Sequence, residues 1–122
     1  MITKNISYEC HKEGFSDVEL YGAYKIFFGT LVSESRLKII NLLRRGKKNV
    51  SELVEELKMD QTAVSHDLSR LKTCGFVFSE RNGKFIYYYL NEKSIRSLME
   101  IIEKHMSEYC IHILRGIKEN KL

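Results

Sequence analysis

With 122 residues, 43% of them hydrophobic, the chain has enough material for one compact domain and too little for two. No apolar run approaches the roughly 18 residues needed to cross a bilayer, and the first residues lack the basic-then-apolar order of a secretory signal, so the expected location is the cytoplasm, with no membrane partner. The net charge of +4 is moderate, but Arg36 to Lys48 holds six basic side chains and no acidic one, which suits either a polyanion or a plain solvated surface.

Residues 1–16 show no period and read as an N-terminal arm, and residues 17–118 as the folded domain. From Asp17, a candidate N-cap, Leu20, Tyr24, Phe27, Phe28 and Leu31 form a broad apolar stripe that has to be buried against something. A second helix begins at or just after Ser33, with Leu37, Ile40 and Leu43 on its inner face, and stops at Gly46. A third is capped by Asn49 with Glu52 three residues on, or alternatively by Ser51, and repeats Leu53, Val54 and Leu57 on one side. A fourth, capped by Asp60, carries Val64, Leu68 and Leu71 inward. Gly75 ends it.

Two β-rich runs follow, Phe76 to Ser79 and Phe85 to Leu90, flanking the turn Glu80-Arg81-Asn82-Gly83-Lys84, where Asn-Gly is a strong hairpin signal. Tyr87, Tyr88 and Tyr89 alternate across the second strand, so part of this aromatic run is core. Asn91 is the candidate cap of a last helix, on which Ile95, Leu98, Ile102, Met106, Tyr109, Ile113 and Ile117 line one face for about six turns. The expected fold is therefore mainly α with a small β-hairpin wing, a winged helix-turn-helix. Its first and last helices carry more apolar surface than so small a core can cover, which predicts that they form a homodimer interface.

The outer face of the fourth helix holds Gln61, Thr62, Ser65, His66, Ser69 and Arg70. Short donors and acceptors with one cation suit base edges and phosphates, whereas an ordinary solvated helix would show more Lys and Glu. Any of the six could meet a base edge or a phosphate; the plainer reading is that some only cap or solvate the helix. At the wing tip, Arg81, Asn82 and Lys84 can reach a flanking minor groove or phosphates, or can be a soluble turn. A two-fold protein with two such helices would read an imperfect palindrome in double-stranded DNA. No Gly-rich phosphate loop, nucleophile elbow or paired-carboxylate motif points to an enzyme, and His11, His66, His105 and His112 are too scattered for a triad.

Taken together, Ser35-Arg-Leu-Lys-Ile-Ile-Asn-Leu-Leu43, Val50-Ser-Glu-Leu53, Ala63-Val-Ser-His-Asp-Leu-Ser-Arg-Leu71, Gly75-Phe-Val77 and Gly83-Lys-Phe-Ile-Tyr-Tyr-Tyr-Leu90 resemble the ArsR/SmtB family of winged-helix repressors, over roughly residues 20–115. The resemblance implies a homodimer with a helical interface, operator binding without ligand, and release on binding a metal or another signal. The Cys-x-Cys pair of the family's arsenical and cadmium sensors has no counterpart in Glu52-Leu-Val-Glu-Glu-Leu57. Aligning the family's final-helix metal pattern on the end of the hairpin puts Glu92, Ser94, His105 and Glu108 at its four positions, with Ser94 in place of an imidazole. His112, about two turns beyond His105, is a candidate replacement ligand, which gives Glu92, His105, Glu108 and His112 as a set for zinc, nickel or cobalt. Cys110 lies close by, and Cys10 and His11 on the arm are further candidates. Cys74 stands where one cadmium-sensing branch has a cysteine, but its companion position is Arg70.

Three cysteines at 10, 74 and 110 make neither a disulfide framework nor a CxxC knuckle. They leave open a redox-responsive repressor acting through Cys10 and Cys110, beside a repressor with no bound effector and a winged-helix protein-interaction adaptor. The plain alternative for the ligand set is structural: His105 at a helical interface, Cys74 a small core residue and Cys110 an inert buried thiol.

Overall fold

A computed structural model describes residues 6–121, with the side chains of Ser7 and Cys10 outside the described part. Along the chain run α1 (Ile6–Lys12), α2 (Asp17–Val32), α3 (Glu34–Leu43), β1 (Lys48–Asn49), α4 (Val50–Leu57), α5 (Gln61–Thr73), β2 (Val77–Asn82), β3 (Phe85–Leu90), α6 (Ile95–Tyr109) and α7 (Ile111–Lys118). The order α3, α4, α5, β2, β3 is the expected winged helix-turn-helix.

Side-chain caps set most helix starts. Ser33 Oγ accepts from Arg36 N, Asp60 Oδ1 from Ala63 N at 2.8 Å, and Asn49 forms a reciprocal box with Glu52, which decides between Asn49 and Ser51. At α2 the cap is Ser16 rather than Asp17. Ser16 and Glu19 satisfy each other's backbone N–H groups, while Asp17 Oδ1 is taken up 2.9 Å from His11 Nε2. Part of the expected arm is thus helical: residues 6–12 form α1, which packs on α2, while residues 1–5 lie outside the described residues.

The core joins Ile39, Ile40 and Leu43 of α3 to Leu53 of α4, Val64, Leu68 and Leu71 of α5, Phe76, Val77 and Leu90 of the sheet, and Ile95 and Met99 of α6. Each large apolar side chain so buried stabilises the fold by about 1.5–3 kcal/mol. Ile39 takes the inner place expected for Leu37, which is half-buried. Gly75, at φ 75°, ends α5 in a left-handed turn in which Phe76 N donates to Leu71 O at 2.9 Å, so the chain leaves the helix with Phe76 already in the core.

The sheet has three antiparallel strands in the order β1-β3-β2. β1 was not foreseen; its two residues pair with Tyr88 and Tyr87 and tie the start of α4 to the wing. In the hairpin Asn82 pairs with Phe85, so Asn82 ends a strand and the turn is Gly83-Lys84, one residue later than the Asn-Gly signal suggests. Gly83 takes φ 65° at the first turn position, where a left-handed backbone favours glycine.

The long C-terminal helix is broken. Cys110 adopts φ −124° and ψ 17°, separating α6 from α7, with no glycine or proline to mark the place. Asn91 does not cap α6 with its side chain: its Nδ2 donates to Gly75 O at 3.0 Å and its Oδ1 accepts from Lys93 N, while its carbonyl receives Ile95 N. Within one chain α2 buries only Leu20 and Thr30, with Phe27 and Leu31 half-buried; Val18 and Val32 are 80% and 78% exposed. On α6, Ile101 is likewise 66% exposed. No helix among the described residues is long and apolar enough to cross a membrane.

Candidate nucleic-acid interface and effector positions

The inner side of α5 buries Val64, Asp67, Leu68 and Leu71. Its outer side consequently exposes Gln61, Thr62, Ser65, His66, Ser69 and Arg70 together. Among the described residues none of these six side chains makes a hydrogen bond within the chain, so their full donor and acceptor capacity faces outward. Thr73, one turn on, is spent on Ser69 O.

A network that the sequence reading missed holds this helix in place. Ser35 Oγ donates to Asp67 Oδ2 at 2.6 Å and Arg36 Nη1 to Asp67 Oδ1 at 3.2 Å. The same guanidinium donates through Nε to Thr30 O at 2.7 Å, and Thr30 Oγ1 lies 3.2 Å from Cys74 Sγ. The middle of α5, at Asp67, and its C-terminal end, at Cys74, are therefore tied to the junction of α2 and α3. Cys74 takes its plain reading, a half-buried thiol in a packed contact.

Arg81, Asn82 and Lys84 are exposed at the far end of the hairpin, with Lys84 Nζ 5.5 Å from the centre of the Phe85 ring. The basic run 36–48 behaves differently. Five of its six cations have carboxylate partners: Arg36 with Asp67, Lys38 with Glu34, Arg44 with Glu103, Lys47 with Glu80 and Lys48 with Glu56, leaving Arg45 exposed. Most of that run is structural, whereas Arg70 and the wing's Arg81 and Lys84 have no carboxylate partner among the described residues.

Glu103 on α6 receives both Arg44 Nη atoms, at 3.0 and 2.9 Å, and Arg96 Nη2 donates to Arg44 O at 2.7 Å. The hydrogen bond from Arg44 holds the Glu103 carboxyl below its ordinary range. A carboxyl lowered by folding adds stability above its unfolded value near 4.5, and that stability is lost as pH falls through the lower folded value. Glu103→Gln is expected to remove about 0.5 kcal/mol at pH 7, the size of a screened surface pair, and nothing at pH 2. Urea titrations at the two pH values check this; an equal loss at both would remove the ion pair as cause.

The proposed metal ligands do not converge within one chain. Glu92 is engaged by Arg96, whose hydrogen bond lowers its carboxyl, at the start of α6. His105 lies at the other end against Tyr109, ring centres 5.2 Å apart, near Glu108, and His112 lies beyond the break on α7. Among the described residues no three His, Cys, Asp or Glu side chains stand close enough to hold an ion. Imidazoles and carboxylates are suitable zinc donors, but the described residues of one chain do not bring three of them together. Of the redox candidates, Cys110 is half-buried at the α6–α7 break, and Cys10 lies on α1 with its side chain outside the described part.

Comparison with known proteins places this architecture. The family model described as bacterial regulatory protein, arsR family, matches residues 33–79, which span α3 to the start of the wing. The HTH-type transcriptional regulator NmtR of Mycobacterium tuberculosis is 39% identical over 70 residues, 57% of this chain and 58% of that protein. The cadmium resistance transcriptional regulatory protein CadC of Listeria innocua is 34% identical over 76 residues, 62% of this chain and 64% of that protein. The transcriptional repressor SdpR of Bacillus subtilis is 31% identical over 81 residues, 63% of this chain and 90% of that protein. Among solved structures, the homodimeric winged helix-turn-helix DNA-binding domain Mb0332 from Mycobacterium bovis superimposes with a TM-score of 0.69 at 22% identity, covering 89% of this chain and 93% of that one. The matches to NmtR and CadC cover 58% and 64% of those proteins' lengths.

Proposed function

The chain belongs to the arsR family of bacterial regulatory proteins, and from that premise we propose that it is a homodimeric, sequence-specific DNA-binding transcriptional repressor, released from its operator by an effector. The observation that carries the DNA reading is the outer face of α5: six exposed polar side chains with no hydrogen bond among the described residues, on a helix whose inner face is pinned by Asp67. Base recognition requires both unspent donors and a fixed platform, and a solvated surface helix requires neither. The apolar faces of α2 and α6 support the dimer, because each is continuous with the core on one side and bare on the other. A two-fold operator of imperfect palindromic sequence follows from that symmetry.

A metal ion, zinc, nickel or cobalt, is the effector this reading favours. CadC is named for cadmium resistance, and the donors on the C-terminal helices here are of borderline type but incomplete in one chain. An ion bridging two copies would bind one arrangement of the paired helices better than the other, and a coupling of roughly 1–3 kcal/mol to DNA affinity would then suffice for release.

The deciding experiment selects a duplex from random sequence with the reduced protein and titrates the complex with zinc, nickel, cobalt and cadmium. Release by one ion, lost in His105→Ala, is the expected result. DNA binding that no ion relieves would remove the metal and turn attention to oxidation of Cys10 and Cys110. Failure to select any DNA, with a salt-insensitive protein complex instead, would overturn the repressor reading in favour of an adaptor.

A further inference from the structure

α1 and α2 enclose a groove of about 660 Å³. Its walls are apolar, from Ile6, Phe15, Leu20 and Ala23, and its rim is acidic, from Glu9, Glu13 and Glu19. Glu19 is spent on capping α2, but Glu9 Oε1 is shielded from solvent and has no hydrogen-bond partner among the described residues. A carboxylate oxygen withdrawn from water beside an apolar wall calls for a cation carried on an apolar body.

The chain itself has such an element. α7, Ile-His-Ile-Leu-Arg-Gly-Ile-Lys, contains no acidic residue and buries none of its residues fully, and its principal neighbour is α6. Ile113 and Gly116 are its half-buried positions. The spacing i, i+3, i+4, i+7 puts Ile111, Leu114, Arg115 and Lys118 together on another face, all exposed. Two aliphatic side chains flanked by two cations match an apolar groove flanked by carboxylates, in kind and in sign.

We infer that α7 of a second copy seats in the α1–α2 groove, with Arg115 and Lys118 meeting Glu9 and Glu13. The inference rests on the homodimer reading and adds to it a specific contact between α7 and the groove that α1 forms with the start of α2. A two-fold operation satisfies it completely, since each copy offers one groove and one α7. The contact also gives α1, a helix of only seven residues, a reason to stay folded.

Charge reversal in trans tests this. Glu9→Lys with Glu13→Lys reverses the groove, and Arg115→Glu with Lys118→Glu reverses α7. Each variant alone is expected to show a dimer dissociation constant raised at least tenfold by sedimentation equilibrium. In an equimolar mixture the heterodimer pairs reversed groove with reversed helix and native groove with native helix, so its dissociation constant is expected to return to within about twofold of the unaltered protein. A fold damaged by the substitutions would not recover on mixing, so that recovery can come only from the seating of α7 in the groove.

Unchanged dimerisation of both variants, or weakened dimers that do not recover on mixing, would overturn the seating and leave the homodimer standing. Saturable binding of tetraphenylphosphonium, a lipophilic cation, to the unaltered dimer would also overturn it, by showing the groove open to a small molecule. A monomeric unaltered protein at micromolar concentration would overturn the homodimer reading itself.

Discussion

Replacing Asp67 by alanine is expected to lower the unfolding free energy by about 3 kcal/mol, the cost of stripping one partner from a buried ion pair. Asp67 and Arg36 expose 9% and 16% of their side chains, so the guanidinium left behind cannot turn to water for what it loses. It keeps Thr30 O and Gly29 O, which offset part of the cost but supply no negative charge. Ser35→Ala, which removes one neutral donor from the same carboxylate, is expected to cost about 1 kcal/mol. Against a total stability of about 5–15 kcal/mol the first change is large. The double replacement Arg36→Met with Asp67→Leu is expected to recover most of the loss, because neither charge remains unpaired. Urea unfolding at fixed protein concentration, which holds the dimer contribution constant, measures all three. An Asp67→Ala protein as stable as the unaltered one would show that the network is incidental.

The same network shows where sequence reading stops. Asp67 falls between Val64 and Leu68 on the apolar stripe of α5, and only its partners 31 and 32 residues earlier make a carboxylate acceptable there. Nothing local announces those partners. The caps at Asn49 and Asp60 were legible because a cap is a contract between a side chain and a backbone N–H two or three residues on. Ser16 was passed over for Asp17, since both are good caps and the choice depended on His11, six residues from Asp17. β1 has two residues, too few to show a period, and exists because Tyr87 and Tyr88 offer it an edge. The break at Cys110 interrupts an apolar repeat that continues on both sides of it, so the repeat predicted one helix where the backbone makes two.

Candidate site residues divide along the same line. The outer face of α5 was readable because it is the complement of a helical stripe. Free charge at the wing was readable because Arg81 and Lys84 flank a turn. By contrast, the run from Arg36 to Lys48 looked like a nucleic-acid field and is mostly paired, because its partners Asp67, Glu80 and Glu103 come from distant elements. Composition counts charges but does not pair them.

The double replacement Ser65→Ala with His66→Ala is expected to weaken binding to the selected duplex by about 1–3 kcal/mol for each side chain that reaches a base, and to leave binding to unrelated DNA almost unchanged. Both residues are exposed near the first turns of α5, and neither helps to hold the helix, whose stability comes from Val64, Asp67, Leu68 and Leu71 on the other side. The loss should therefore appear in the ratio of specific to non-specific affinity rather than in the melting temperature. Arg81→Ala with Lys84→Ala supplies the contrast. Those side chains carry charge that no carboxylate among the described residues neutralises, so their removal is expected to lower affinity for every duplex and to reduce the salt slope by about one for each phosphate no longer neutralised. Fluorescence anisotropy with the selected and a scrambled duplex at several salt concentrations separates the two effects. A Ser65/His66 variant that loses affinity equally on both duplexes would assign those residues to the backbone, and one that loses none would move recognition off the outer face of α5 altogether.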